Sequence, residues 1–166
     1  MGKGFLMCNE IHEWIDKNIP KGSIILELGS GKGTRRLVNN GYKVYSIEHD
    51  KKWLNKYGST YIYAPIKDNW YDIESIKKEI PEHYDLLLID GPPRKIDGKK
   101  VGRLGMVEHL NIFDENAVML FDNFDRGREN KLIKQISKKI NREFVPYKGK
   151  DHRGKSTWFA VFEKED

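Results

Sequence analysis

Apolar residues in this chain gather into short unbroken runs, and the stretches between them carry apolar positions at helical spacing. That is the pattern of a buried parallel sheet flanked by helices. Met7, Ile11, Trp14 and Ile15 predict a first helix, closed by Pro20 and Gly22. Ile24 to Leu28 reads as a central strand, followed by a helix from Thr34 to Asn40 and a second strand from Lys43 to Ile47. A short helix is expected over 50–57, then a strand from Thr60 to Ala64 that Pro65 stops, and a helix capped by Asp72 that ends at Pro81. Tyr84 to Ile89 and Ala117 to Phe121 are further buried strands, with a helix from Leu104 to Leu110 between them. Arg128 to Ile140 places Leu132, Ile133, Ile136 and Ile140 on one face of an amphipathic helix. Glu143 to Tyr147 and Thr157 to Phe162, joined by the polar segment 148–156, predict a closing antiparallel hairpin.

Composition narrows the class. At 166 residues the chain predicts one domain over 1–166, large enough to bury a core and too small for a separate substrate domain. Charged residues make up 33% and mean hydropathy is −0.71, but the apolar residues are clustered, which favours a globular domain over disorder. No run has the length of a membrane span and no signal-peptide core precedes the first helix, so a cytoplasmic protein without membrane partners is expected. A single cysteine, Cys8, excludes an internal disulfide and a multi-cysteine zinc cluster. A net charge of +5 permits attraction to nucleic acid or an anionic substrate, although lysine-rich surfaces also serve solubility alone.

Candidate chemistry begins at the end of the first strand. Gly29, Gly31 and Gly33 alternate where strand gives way to helix, a spacing that lets backbone approach a ligand closely. Glu27 stands two residues before the first glycine, where a carboxylate disfavours a phosphate and suits an amino group. Glu48, at the end of the second strand, is placed to accept ribose hydroxyls. A ligand with an α-amino group at one end and a ribose at the other describes S-adenosylmethionine better than a dinucleotide. The G-x-G-x-x-G dinucleotide fingerprint also fails, because Thr34 holds its last place.

On these residues the chain resembles the class I S-adenosylmethionine-dependent methyltransferases. Their first motif is matched by Glu27-Leu28-Gly29-Ser30-Gly31-Lys32-Gly33 and their second-strand acidic residue by Glu48. The resemblance spans most of the chain. It implies an α/β fold with a Rossmann-like seven-stranded sheet, mostly parallel with the last strand antiparallel, and helices on both faces. It further implies S-adenosylmethionine as cofactor, held by Glu27, Gly29, Ser30, Gly31, Glu48, His49 and Asp90.

A second constellation lies at two later strand ends. Asp90 follows one apolar run and Asp122-Asn123 another, so neighbouring parallel strands would bring three oxygen donors to one rim, a set suited to Mg²⁺. This is similar to the metal-dependent O-methyltransferases of the catechol O-methyltransferase type, whose metal ligands correspond to Asp90, Asp122 and Asn123. That group carries a catalytic lysine soon after its first metal aspartate; here the chain continues Gly91-Pro92-Pro93-Arg94-Lys95 and leaves the matching position without one. Asp90 and Lys95 are then the candidates for catalysis. The Ile-Asp-Gly-Pro-Pro segment with later Gly102-Arg103 is also similar to a broader group of methyltransferase-like proteins, in which the motif fixes neither substrate nor metal. Local turn and helix capping by Asp90 and Asp122-Asn123 is the competing reading.

Other features carry less. Trp70-Tyr71-Asp72 follows the third strand, where aromatic residues serve either the adenine or the core, and core packing is favoured. Of His49, His109 and His152, only His49 adjoins the cofactor motif. Arg94, Lys95, Lys99, Lys100 and Arg103 make a basic loop that suits an anionic substrate or plain solvation. The leading expectation is methyl transfer to a hydroxyl of a small molecule or sugar, with a homodimer left open. A nucleic-acid acceptor is an alternative, as is a cofactor-binding protein without catalysis. A nicotinamide-dependent reductase ranks last, since the third glycine of the dinucleotide fingerprint is missing.

Overall fold

The computed structural model describes residues 6–165. Five strands run parallel, β1 (Ile24–Leu28), β2 (Lys43–Glu48), β3 (Thr60–Tyr63), β4 (Leu86–Ile89) and β5 (Val118–Phe121), and the hairpin β6 (Val145–Lys150) and β7 (Ser156–Phe162) completes one seven-stranded sheet. The order is β3-β2-β1-β4-β5-β7-β6, with β7 antiparallel to both β5 and β6.

Side-chain alternation divides the core into two layers. Leu26, Leu28, Leu87, Ile89, Met119 and Phe121 point to one face, where α3 (Ile73–Glu79) contributes Ile76 and α5 (Gly127–Ile140) contributes Leu132, Ile133 and Ile136. Ile25, Val44, Leu86, Leu88, Val118 and Leu120 point to the other, covered by Ile11 and Ile15 of α1 (Asn9–Asn18) and Leu37 of α2 (Lys32–Asn39). Both faces are dry, which is why the strands read as continuous apolar runs. The alternation also sends Glu27, Ser46 and Glu48 to the α1/α2 side, and Asp90 and Asp122 carry the same parity one residue beyond β4 and β5. Four carboxylates thereby reach one rim of the sheet.

Several boundaries differ from the sequence expectation, each for a local reason. α2 begins at Lys32, before Thr34, because the Thr34 hydroxyl accepts the Gly31 N–H at 3.0 Å and stabilises the first turn from within. The helix expected over 50–57 is a single 3-10 turn, Lys51–Trp53: Asn55 and Gly58 adopt positive φ and break the period. The helix expected over 104–110 is cut to α4 (Gly105–Glu108) plus a 3-10 turn at Leu110–Ile112, since the backbone at His109 leaves helical geometry. The sixth strand starts at Val145 instead of Glu143 and runs on to Lys150, because its register against β7 pairs Lys150 with Ser156.

Two small ribbons escape the sequence reading, Ile66–Lys67 with Trp70–Tyr71, and Lys95–Ile96 with Lys99–Lys100. Their turns, Asp68-Asn69 and Asp97-Gly98, all have positive φ, so the dipeptides carried the hairpin signal. The predicted first helix runs over Asn9–Asn18, so Met7 precedes it but packs in the same layer as Ile11 and Ile15, and Asp72 caps α3 by accepting the Ser75 N–H at 3.2 Å. Arg142 is a buried tie between layers: it donates to the carbonyls of Ala117 at 3.0 Å and Glu163 at 2.7 Å, and also to that of Glu115.

Candidate functional site

Chain connections leave β1 toward β2 on one side and return through β4 on the other, so the loops after β1 and β4 part at the carboxyl ends of the strands and open a crevice. At its base two backbones touch. Gly29, with φ +86°, would place a Cβ 3.1 Å from Gly91 Cα, and a Cβ on Gly91 would fall 3.0 Å from Gly29 Cα and collide with the Tyr71 hydroxyl. Above this contact lies a cavity of about 610 Å³. Its walls include Gly29, Ser30, Glu48, His49 and Asp90 of the expected cofactor set, together with Lys95, Arg103 and Tyr71. Glu27 and Gly31 are not among the wall residues.

Glu48 anchors the cavity. Ser30 donates to its Oε2 from the hydroxyl at 2.5 Å and from the backbone N–H at 3.2 Å, and the Asp50 N–H reaches Oε1 at 2.9 Å. His49 Nδ1 lies 3.2 Å from Oε1. Burial favours the neutral acid, but these hydrogen bonds outweigh it and hold the carboxyl below its ordinary range. Of the about four acceptor positions of a carboxylate, the two Ser30 donors and the Asp50 N–H fill all but one, so an ionised Glu48 can receive one ligand hydroxyl, on Oε1 beside His49.

Glu27 has a different role from a wall residue. It is 2% exposed, and its Oε1 accepts the hydroxyls of Thr34 at 2.5 Å and Ser46 at 2.6 Å. The carboxyl thus ties the ends of β1 and β2 to the first turn of α2. Burial, opposed by those two hydroxyls, pushes it up to about 7.

At the neighbouring strand ends an arginine dominates. Arg103, 8% exposed, donates to the Asp122 carbonyl at 2.8 Å, the Asp90 carbonyl at 3.0 Å and Asp90 Oδ1 at 3.3 Å. Burial pushes both aspartates up; the Asp122 charge adds to this at Asp90, and Arg103 opposes it at both. One Asp122 oxygen is taken by the Asn123 N–H at 2.7 Å. The donor set Asp90, Asp122 and Asn123 does not fit Mg²⁺: a fixed guanidinium already supplies the positive charge there and would repel a dication. Among the described residues no group of three or more His, Cys, Asp or Glu side chains is arranged to hold a metal ion.

The other candidates are dispersed. Lys95 stands on the second ribbon at the cavity wall, while Lys99 and Lys100 are exposed on its outer strand. Arg94 pairs with Glu129 of α5 at 3.1 Å. His109 stacks on Trp70 with ring centroids 5.5 Å apart, and Trp70 is core, as expected. His152 is exposed in the β6-β7 turn. Cys8 is buried, and burial pushes its thiol up to about 11, which leaves it inert. In the sequence Arg103 is only one member of a basic loop; its burial has no sequence signal beyond its closeness to Gly102.

The strand order and the crevice beside β1 together define the Rossmann-like methyltransferase fold. No protein-family model matches the chain, and no curated protein matches it. Solved structures do. A methyltransferase from Pyrococcus furiosus is similar over 100% of this chain and 87% of its own, with TM-score 0.63 and 16% identity. The N-terminal domain of human METTL16 is similar over 99% of this chain and 74% of its own, with TM-score 0.63 and 15% identity. An O-methyltransferase from Bacillus cereus in complex with SAH is similar over 84% of this chain and 72% of its own, with TM-score 0.55 and 16% identity. Among the described residues no helix is long and apolar enough to cross a membrane.

Proposed function

We propose that the protein is an S-adenosylmethionine-dependent methyltransferase whose acceptor is a hydroxyl of a small molecule or sugar. The observation that carries this reading is the ionised, Ser30-braced Glu48 on a 610 Å³ cavity directly over the Gly29–Gly91 contact. In it, Gly29 and Ser30 approach the cofactor with backbone, Glu48 accepts a ribose hydroxyl and His49 flanks the base, while Asp90 borders the methyl group. Glu27 acts by holding the loop rather than by touching the ligand.

Methyl transfer is an in-line displacement. The acceptor oxygen forms a bond to the methyl carbon as the carbon–sulfur bond breaks, and the electron pair returns to sulfur to give S-adenosylhomocysteine. The hydroxyl proton passes to Asp90 in its ionised form; burial, with the Asp122 charge added and Arg103 opposing, raises the proton affinity of this carboxylate. Lys95, from the ribbon above, orients the acceptor. Alignment supplies most of the acceleration in this scheme. No step uses a metal.

A second reading has one observation in its favour. Beside the cavity a hollow of about 460 Å³ is lined by Lys32, Arg35, Lys56 and Tyr57, with no carboxylate. That surface suits the phosphates of a nucleic-acid acceptor. Incubation with methyl-labelled S-adenosylmethionine and separate panels of polyhydroxylated, phenolic and oligonucleotide acceptors distinguishes the two. Label in a hydroxyl acceptor supports the first reading, label in an oligonucleotide with steep salt dependence supports the second, and label in neither refutes both.

A further inference from the structure

Tyr71 ends the first ribbon, behind β3, and its side chain forms part of the cavity wall. The residue is 1% exposed, yet its hydroxyl has no hydrogen-bond partner. Nothing in the packing requires a hydroxyl there: the ring is held edge-on by Trp70 at 5.4 Å and lies 6.5 Å from the His49 ring. A buried hydroxyl without a partner is costly, so one that persists calls for a partner that arrives. Its position is specific. The phenol reaches the base of the crevice through the space left by the missing Gly91 side chain, where a Cβ would strike it. Glu48 and Asp90, the residues at the two ends of the proposed cofactor position, both act on it electrostatically.

From this geometry we infer that the Tyr71 hydroxyl is a cofactor-binding group, donating a hydrogen bond to a lone-pair acceptor of S-adenosylmethionine at the cavity floor. The inference rests on the methyltransferase reading of the site. Burial holds the phenol well above its ordinary range, so it remains a donor wherever the protein is folded. The signature is a dissociation between stability and affinity. Tyr71→Phe keeps the ring and removes only the orphan hydroxyl, so the ligand-free protein should be as stable as the wild type or more so. Affinity for the ligand should nevertheless fall.

The test is calorimetric titration of wild type and Tyr71→Phe with S-adenosylhomocysteine, alongside thermal melts of both without ligand. The expected result is binding about 3- to 10-fold weaker in the variant, the range of one neutral hydrogen bond, with an unchanged or higher melting temperature. Equal affinities overturn the assignment while leaving the cofactor site intact. A variant that melts well below wild type shows that the hydroxyl already has a partner, and also overturns it. Absence of binding by the wild type overturns the reading of the site itself, and this assignment with it.

Discussion

Replacing Glu27 by glutamine should make the protein more stable at alkaline pH and change it little at acid pH. The carboxyl is 2% exposed and titrates near 7, compared with an ordinary 4.5. Between these values the folded protein binds a proton that the unfolded chain has released, so wild-type stability from this group falls as pH rises from 4.5 through 7. The full span corresponds to about 3 kcal/mol, and the part between about pH 5 and pH 8.5 to about 2.5 kcal/mol. The amide introduced by Glu27→Gln would carry no charge to desolvate and would keep a carbonyl for the Thr34 and Ser46 hydroxyls. His12 contributes the opposite slope: burial lowers it from 6.5 to about 4, so its share of stability is lost as pH falls through that range. Because the two slopes oppose each other in one window, the wild-type profile alone is uninformative and the difference between proteins is the measurement. Urea unfolding of wild type and Glu27→Gln at both pH values should show the variant gaining about 2.5 kcal/mol relative to wild type on going to alkaline pH. Parallel profiles within about 0.5 kcal/mol would refute a buried, proton-binding Glu27.

Arg142→Met keeps an apolar stem but strands the carbonyls of Ala117, Glu115 and Glu163, so urea unfolding should report a loss of about 2–4 kcal/mol. Gly91→Ala drives a methyl into Tyr71 and the Gly29 backbone; calorimetry should show cofactor affinity lost, with stability lowered by about 1–3 kcal/mol in denaturant. Manganese titration followed by water-proton relaxation should reveal no stoichiometric site in the wild type, because the buried Arg103 guanidinium pairs with the Asp90 carboxylate and holds the Asp122 carbonyl, so a dication there would be repelled. A 1:1 site lost in Asp122→Asn would contradict that.

The sheet is legible in the sequence because strands buried on both faces must be apolar at nearly every position, as in Leu86 to Ile89 and Val118 to Phe121. Strand ends are legible for the same reason: the first carboxylate after such a run marks the rim, which locates Glu48, Asp90 and Asp122. Less visible is what each carboxylate meets. The linear pattern sets Glu27 against a ligand amino group, but although it faces the same side as Glu48 and Asp90 it lies one residue inside the end of β1, where the Thr34 and Ser46 hydroxyls cover its carboxyl, a contact such a pattern does not display. Arg103 is equally hidden, since only the fold brings it under the carbonyls of Asp90 and Asp122, 13 and 19 positions away in the chain. Tyr71 reads as core, and its ring is; the unpartnered hydroxyl appears only once the Gly91 backbone is in place.

The central claim is that the Glu48 cavity binds S-adenosylmethionine, and its most direct test is calorimetric titration of S-adenosylhomocysteine into wild type and Glu48→Gln. The account predicts 1:1 micromolar binding to the wild type, weakened about tenfold or more when the ribose-accepting charge is removed. No binding, or equal binding by both proteins, would contradict it.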